Sequence, residues 1–111
     1  MDNCILFDWL SFTSSIDSVD SIKSLLGLSH VTWLDCQTSF NGYMYRIVFN
    51  NISICYGVPK NVGGEYHKET VLVNMSGQGC RAYETYSTCC DWHTLFAVLL
   101  SDTENYNITR L

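Results

Sequence analysis

Residues 70–84 read TVLVNMSGQGCRAYE, and this stretch decides the fold. Its first half alternates between two sets of side chains at the two-residue period of a β-strand, and its second half is polar and compatible with a helix. Gly77 and Gly79 fall between the two halves, where a chain that turns sharply needs backbone freedom. The stretch therefore predicts a strand, a tight turn and the start of a helix.

The same turn offers a candidate binding site. A glycine turn before a helix N-terminus presents free N–H groups to a phosphate or a carboxylate, and Arg81 would add further donors. Most Gly-x-Gly turns only meet a steric need, so a structural turn is the leading interpretation and an anion site is the alternative. The candidate binding residues in this stretch are Ser76, Gly77, Gln78, Gly79, Arg81 and Glu84.

Alternating apolar residues predict further strands on both sides of this stretch. Residues 5–12 form the first strand, and residues 42–49 and 52–56 form a hairpin joined by Asn50 and Asn51, a pair that tolerates left-handed backbone. The strand 69–75 should lie beside the hairpin, and residues 107–111 form a short last strand. Residues 29–41 are predicted to be irregular.

Two helices are predicted from caps and apolar periodicity. Asp17 has the position of an N-cap and Asp20 that of the third helical residue, so a helix is predicted over residues 18–26 with Gly27 at its C-terminal end. Asp91 is a second N-cap and is followed by a broad apolar stripe that ends at residue 100.

Together these elements predict an α+β fold. Their order is β-α-β-β-β-α-β, which gives an antiparallel-rich sheet with two helices on one face, close to the split βαβ arrangement. The chain has 111 residues, of which 47% are hydrophobic, enough for one core, so residues 1–111 are predicted to form a single domain.

The charge is acidic and unevenly distributed. Eleven acidic residues against six basic ones give a net charge of −5, and residues 1–40 contain five of the acids but only one base. An acidic surface in this part would favour a basic partner, so Asp17, Asp20 and Asp35 are candidate binding residues.

Several classes of function are disfavoured by the residues. No apolar run reaches the ~20 residues that span a bilayer, and the N-terminus lacks the basic leader of a signal peptide. The six cysteines are then expected to be reduced thiols in the cytoplasm. Cys80, Cys89, Cys90 and His93 lack the spacing of a zinc site, so no metal, cofactor or catalytic residue is predicted.

Three segments carry a resemblance to a known family. Residues 75–81, followed by Glu84 and Tyr86, resemble a segment of the replication initiation factor (Rep trans) family of rolling-circle initiators from plasmids and integrative elements. Residues 4–12 and 107–111 are similar to two of its strands. The resemblance implies the N-terminal part of a fold of the HUH nicking-enzyme type. In the family, acidic metal-binding residues and a catalytic tyrosine follow the last of these strands, so the chain is expected to be truncated before them and not to be an enzyme.

Two functions remain. The favoured hypothesis is a non-catalytic acidic protein of a phage, plasmid or other mobile element. It would act in a bacterial cytoplasm on a protein partner with a basic nucleic-acid-binding surface, for example as an anti-CRISPR or DNA-mimic inhibitor of a defence nuclease.

The alternative is a DNA-recognition fragment of an initiator that binds origin DNA. Its phosphate contacts would come from Arg46, Lys60, Lys68 and Arg81, and its base-stacking rings from Tyr43, Tyr45 or Tyr56. The small number of lysine and arginine residues favours the first hypothesis, since phosphate binding needs several clustered cations.

Overall fold

The computed structural model describes residues 9–16, 18–36, 43–57, 71–88 and 91–110. The predicted α+β class is confirmed. Predictions that concern residues 5–8, Asp17, Lys60, Lys68, residues 69–70 and residue 111 lie outside the described residues. The elements in chain order are β1 Leu10–Ser14, α1 Val19–Leu26, β2 Leu34–Cys36, β3 Tyr45–Phe49, β4 Ile52–Tyr56, β5 Val71–Met75, α2 Gly77–Tyr86, α3 Trp92–Ser101 and β6 Tyr106–Arg110.

The strands form one sheet of six in the order β2-β3-β4-β5-β1-β6, and every neighbouring pair is antiparallel. The hairpin β3–β4 has the predicted two-residue turn, in which Asn50 and Asn51 have φ values of 44° and 69°. Positive φ at both central residues matches the twist of the flanking strands. β6 lies at the sheet edge beside β1, which the local sequence pattern did not specify.

The core lies on one face of the sheet, because alternate residues of each central strand point to that face. All three helices pack there. The fully buried apolar residues of the strands on this face are Leu10, Phe12, Ile52, Ile54, Val71, Val73 and Met75, and they form one cluster with Ile22, Leu26, Cys80, Tyr83, Leu95 and Leu99 of the helices. Cys55 is also fully buried, but it packs with Tyr43 and Leu72 on the opposite face.

The structure corrects the predicted number of helices. The described residues contain three, because α2 begins directly at Gly77 and no tight turn separates it from β5. Ser76 is its N-cap, and the Ser76 hydroxyl accepts a hydrogen bond from the Gly79 N–H at 3.4 Å. This cap lets both glycines enter the first helical turn despite their low helix propensity.

Two further elements differ from the prediction. β2 is a three-residue strand inside the segment predicted to be irregular, and it exists through its pairing with β3. α1 has Ser18 as its N-cap, whose hydroxyl accepts from the Ser21 N–H at 3.2 Å. Gly27 ends α1 with a φ of 68°, as predicted. No helix among the described residues is both long and apolar enough to cross a membrane.

Candidate nucleic-acid interface

The predicted binding residues at the start of α2 hold this helix against the β3–β4 turn. A β-carbon at Gly79 would overlap the backbone carbonyl oxygen of Asn51. The Asn51 side chain also donates a hydrogen bond to Gln78 Oε1 at 2.8 Å. Gly79 is therefore required by the close approach of two backbones, whereas the predicted reason was backbone freedom for a sharp turn.

Arg81 and Glu84 form a bidentate pair on α2 that also contacts α3. Arg81 Nε and Nη2 lie 2.7 and 2.9 Å from the two Glu84 carboxylate oxygens, and the Trp92 indole N–H donates to Glu84 Oε2 at 2.9 Å. Burial raises the pKa of Glu84, but the hydrogen bonds from Arg81 and Trp92 and the charge of Arg81 outweigh it and lower the pKa. The carboxylate thus stays ionised and links the two helices.

These contacts bear on the predicted anion site. The backbone N–H groups of Gly79 and Cys80 already donate to Ser76, and Arg81 is directed to Glu84. Helix capping by Ser76 and the packing of Gly79 against Asn51 explain why these residues occur in this stretch without a bound anion. A role of Ser76, Gly77, Gln78, Gly79, Arg81 and Glu84 in binding a partner stays a prediction.

The predicted acidic residues are placed in different layers. Asp20 is exposed in the first turn of α1, where a negative charge interacts favourably with the helix dipole. Asp35 is exposed on the edge strand β2. Asp17 lies outside the described residues. The structure therefore places the two described acids on separate elements, and their role in binding stays a prediction.

A cavity of about 390 Å³ lies at the end of the sheet where β2 and β4 end and β3 begins, and we call it the edge cavity. Its lining combines aromatic, thioether, guanidinium and carboxylate groups. The lining residues are Asp35, Cys36, Met44, Tyr45, Arg46 and Tyr56.

An exposed but positioned aromatic ring forms one wall of the edge cavity. The Tyr45 ring stacks on Tyr56 with a centroid distance of 5.3 Å and an interplanar angle of 30°, yet Tyr45 is 52% exposed. Gly57 has a φ of +77°, and a β-carbon there would come within 2.5 Å of the Tyr45 ring. The missing side chain at Gly57 thus makes room for the ring.

Arg46 supplies the positive charge of the cavity. It lies between Cys36 and Cys55 in the sheet register, and its Nη2 donates to Cys36 Sγ at 3.0 Å. Burial raises the pKa of the Cys55 thiol to about 11, although the charge of Arg46 lowers it. Cys55 is therefore neutral at pH 7 and does not cancel the charge of Arg46.

The hairpin register could have revealed part of this site from sequence. A two-residue turn at Asn50 and Asn51 sets Tyr45 opposite Tyr56, as the structure shows. The contribution of Asp35 and Cys36 could not be predicted in the same way, because the segment that forms β2 was predicted to be irregular. Tyr43, a proposed stacking residue, is only 7% exposed and packs with Cys55 and Leu72.

A polar network lies on the sheet face opposite the helices. Ser11 and Asn74 are direct cross-strand neighbours of β1 and β5, and the Ser11 hydroxyl donates to Asn74 Oδ1 at 2.5 Å. The Trp9 indole N–H donates to the same amide oxygen at 2.8 Å and to the Ser11 hydroxyl at 3.0 Å. We call this side of β1, β5 and β6 the polar face, although Leu72 of β5 also lies on it and packs with Tyr43 and Cys55.

Comparison with known proteins gives a consistent result. The family model described as the rolling-circle replication initiation protein N-terminal domain matches residues 4–98. A Bacillus subtilis (strain 168) protein named "Putative DNA relaxase NicK" is 30% identical over 94 residues, which cover 82% of this chain and 25% of that protein. The chain thus spans about a quarter of the length of this relative.

A solved structure shares the fold. The rolling-circle replication initiator protein from Geobacillus stearothermophilus superposes with a TM-score of 0.69 and 22% sequence identity. The similar region covers 92% of this chain and 40% of that protein.

These findings overturn the favoured functional hypothesis. The prediction of an acidic inhibitor that mimics DNA and binds a basic protein is wrong, because the similarities are to rolling-circle initiators and a relaxase. The net charge suggested the wrong partner, because some acidic side chains form hydrogen bonds within the protein and stabilise its helices. Glu84 is bound by Arg81 and Trp92, and Asp91 caps α3 by accepting from the His93 N–H at 3.0 Å.

Proposed function

We propose, since the chain belongs to the family of N-terminal domains of rolling-circle replication initiation proteins, that it recognises origin DNA as part of a longer initiator. The family match over residues 4–98 carries this proposal. Because the chain spans a quarter of the relative named a relaxase, we assign relaxase chemistry to the longer protein and DNA recognition to this part. The site of action is then the cytoplasm of a bacterial host.

The two sides of the sheet support this division. The helices cover one face. On the polar face Ser11 is buried, whereas Asn74 is partly exposed, and its amide N–H groups can donate to phosphates and base edges. Thr13 and Asn107 extend this face across β1 and β6. Arg46 adds a guanidinium at the other end of the sheet.

Exchange of acidic residues tests the proposal. We expect Asp20→Asn and Asp35→Asn each to strengthen binding to origin DNA two- to threefold at low salt, since each removes a charge that repels phosphate. Arg46→Ala should weaken binding. Fluorescence anisotropy with labelled origin DNA measures these changes.

A comparison of positions separates a local effect from a change in total charge. Glu104→Gln removes an exposed carboxylate in the turn before β6, next to the polar face. It should strengthen DNA binding more than Asp20→Asn does, because Asp20 lies on α1, on the helix side of the sheet. Weaker DNA binding by both Asp variants, or no binding of the unmodified chain at low salt, would contradict the proposal.

The absence of nicking activity in the chain alone stays a prediction. The family resemblance leads us to expect no nicking of supercoiled origin DNA in Mg²⁺ or Mn²⁺. Gel analysis of plasmid topology measures this, and relaxed product that disappears after a single Tyr→Phe substitution would refute it.

A further inference from the structure

The described strands place no carboxylate on the sheet face opposite the helices. They contain one acidic residue, Asp35, which pairs in register with the core residue Ile47 and so lies on the helix side. Arg46 pairs with Cys55, which packs on the opposite face, so this cation lies there. The other described acidic residues belong to helices, caps and turns. A chain with a net charge of −5 therefore has one sheet face that suits an anionic partner.

Asn74 lies on this face, and the orientation of its side-chain amide is fixed. The Trp9 indole N–H can only donate, so the Asn74 atom 2.8 Å away must be the carbonyl oxygen and not the nitrogen. The Ser11 hydroxyl donates to the same oxygen at 2.5 Å, so both of its lone pairs are occupied. Among the described residues, none accepts a hydrogen bond from the amide nitrogen. Asn74 is partly exposed and therefore presents two N–H donors and no acceptor.

The width of the sheet determines which part of a DNA duplex Asn74 can meet. Five spacings of about 4.8 Å make a six-stranded sheet roughly 24 Å wide, whereas the major groove is roughly 12 Å wide. β5 has two strands on one side and three on the other, so a side chain on it cannot reach the floor of a groove. It meets the sugar-phosphate backbone, whose ionised oxygens are acceptors.

We infer that Asn74 binds a phosphate of duplex DNA through its two amide N–H groups, with Trp9 and Ser11 as positioning residues that turn the oxygen away. The inference rests on the proposed function and assigns a binding residue to it. Because the amide is neutral, its contact should add affinity without adding to the salt dependence. Because every base pair carries the same phosphates, the contact should not depend on base sequence.

Asn74→Asp tests the contact while it keeps the internal hydrogen bonds. An aspartate still accepts from Trp9 and Ser11, but it has no donor and places a negative charge beside the phosphate. We expect the affinity for a labelled origin duplex to fall about tenfold, with little change in the melting temperature. Asn50→Asp is the matched control, because it makes the same chemical change at an exposed position of the β3–β4 turn. It should change the affinity by less than about twofold.

A neutral variant and modified DNA separate the hydrogen bonds from the effect of charge. Asn74→Ala should weaken binding about threefold or more and leave the slope of log K against log salt unchanged. A methylphosphonate placed at successive positions of the duplex replaces one charged oxygen by a methyl group. At one position it should weaken binding by the unmodified chain but have little further effect on Asn74→Ala. Trp9→Phe, which lets the amide turn, should reduce the effect at that same position.

The outcomes separate the two proposals. If the chain binds no DNA at low salt, the proposed function fails. If it binds DNA but Asn74→Asp behaves like Asn50→Asp, the phosphate contact fails and the proposed function stands. If Asn74→Ala weakens binding to the origin duplex but not to a duplex of unrelated sequence, Asn74 contacts a base edge, and the inference is overturned in that case too.

Discussion

Gly79 and Gly57 each permit a close approach that a side chain would block, but for different neighbours. At Gly79 the neighbour is the backbone of Asn51, which cannot move without disturbing the β3–β4 turn. At Gly57 the neighbour is the ring of Tyr45, and the positive φ adds a second restriction. Gly79 therefore serves the fold, whereas Gly57 shapes the edge cavity.

Gly79→Ala tests the first role. The new methyl group would overlap the Asn51 carbonyl oxygen, a backbone atom, so the cost should lie in the upper part of the usual range for overpacking, about 2–3 kcal/mol. Alanine regains up to about 1 kcal/mol in helix propensity, so we expect a net loss of about 1–2 kcal/mol in the free energy of unfolding. Urea denaturation measures this loss.

Gln78→Ala is the control for Gly79→Ala. It removes the hydrogen bond from Asn51 without adding an atom near the turn, so the loss should be below about 1 kcal/mol. A Gly79→Ala variant as stable as the unmodified chain would show that the turn can move away from α2.

At the scale of elements, α2 and α3 are joined by a carboxylate that must remain ionised. Glu84 accepts from Arg81 on its own helix and from Trp92 on the next, and the Tyr83 and Trp92 rings lie 4.6 Å apart. The folded chain lowers the pKa of Glu84 below its value in the unfolded chain. Stability is therefore linked to pH through this contact.

The linkage has a definite sign. The stabilisation from ionised Glu84 is complete above the unfolded pKa of about 4.3 and is lost as the pH falls through the lower folded pKa. We expect the free energy of unfolding to fall between about pH 5 and pH 3, and to fall less steeply in Glu84→Gln. Urea denaturation across this range measures both slopes.

Asp91 explains why some slope should persist in Glu84→Gln. The hydrogen bond from the Thr94 hydroxyl lowers the pKa of Asp91, so this residue contributes with the same sign. Equal slopes in the unmodified chain and in Glu84→Gln would contradict the role assigned to Glu84.

Local sequence patterns predicted the elements whose causes are local. The Asn50-Asn51 hairpin and the Gly27 end of α1 are examples, because backbone preference at one or two residues decides them. The start of α2 depends instead on a cap at Ser76 and a contact with Asn51, a distant residue. β2 is three residues long and depends on pairing with β3, so its own composition carries little signal.

At the scale of the whole molecule, the net charge of −5 limits how DNA can be bound. The sequence resemblance predicted the family, but the charge sum suggested the wrong partner because a sum does not locate charges. Asp20, Asp35 and Glu84 lie on three different elements, and Glu84 is already paired. The edge cavity joins three strands and was not recognisable before their order was known.

The salt dependence of binding follows from this charge. With Arg46 as the cation of the edge cavity, we expect only one or two phosphate contacts and a shallow slope of log K against log salt, about −0.7 to −1.4 for single-stranded DNA. Anisotropy between about 25 and 200 mM salt measures the slope. Arg46→Ala should flatten it by about one contact, and Arg46→Lys should keep it. A slope steeper than about −4 would indicate a large basic surface instead.

The position of β1 between β5 and β6 also has a consequence for synthesis on the ribosome. β1 is translated first, but its two ladder partners are β5 and β6, which emerge after the hairpin β3–β4. The hairpin can form as soon as it leaves the exit tunnel, whereas β1 waits with Leu10 and Phe12 uncovered. A nascent chain stalled before β5 should therefore bind chaperones through β1, and release should follow the translation of β5.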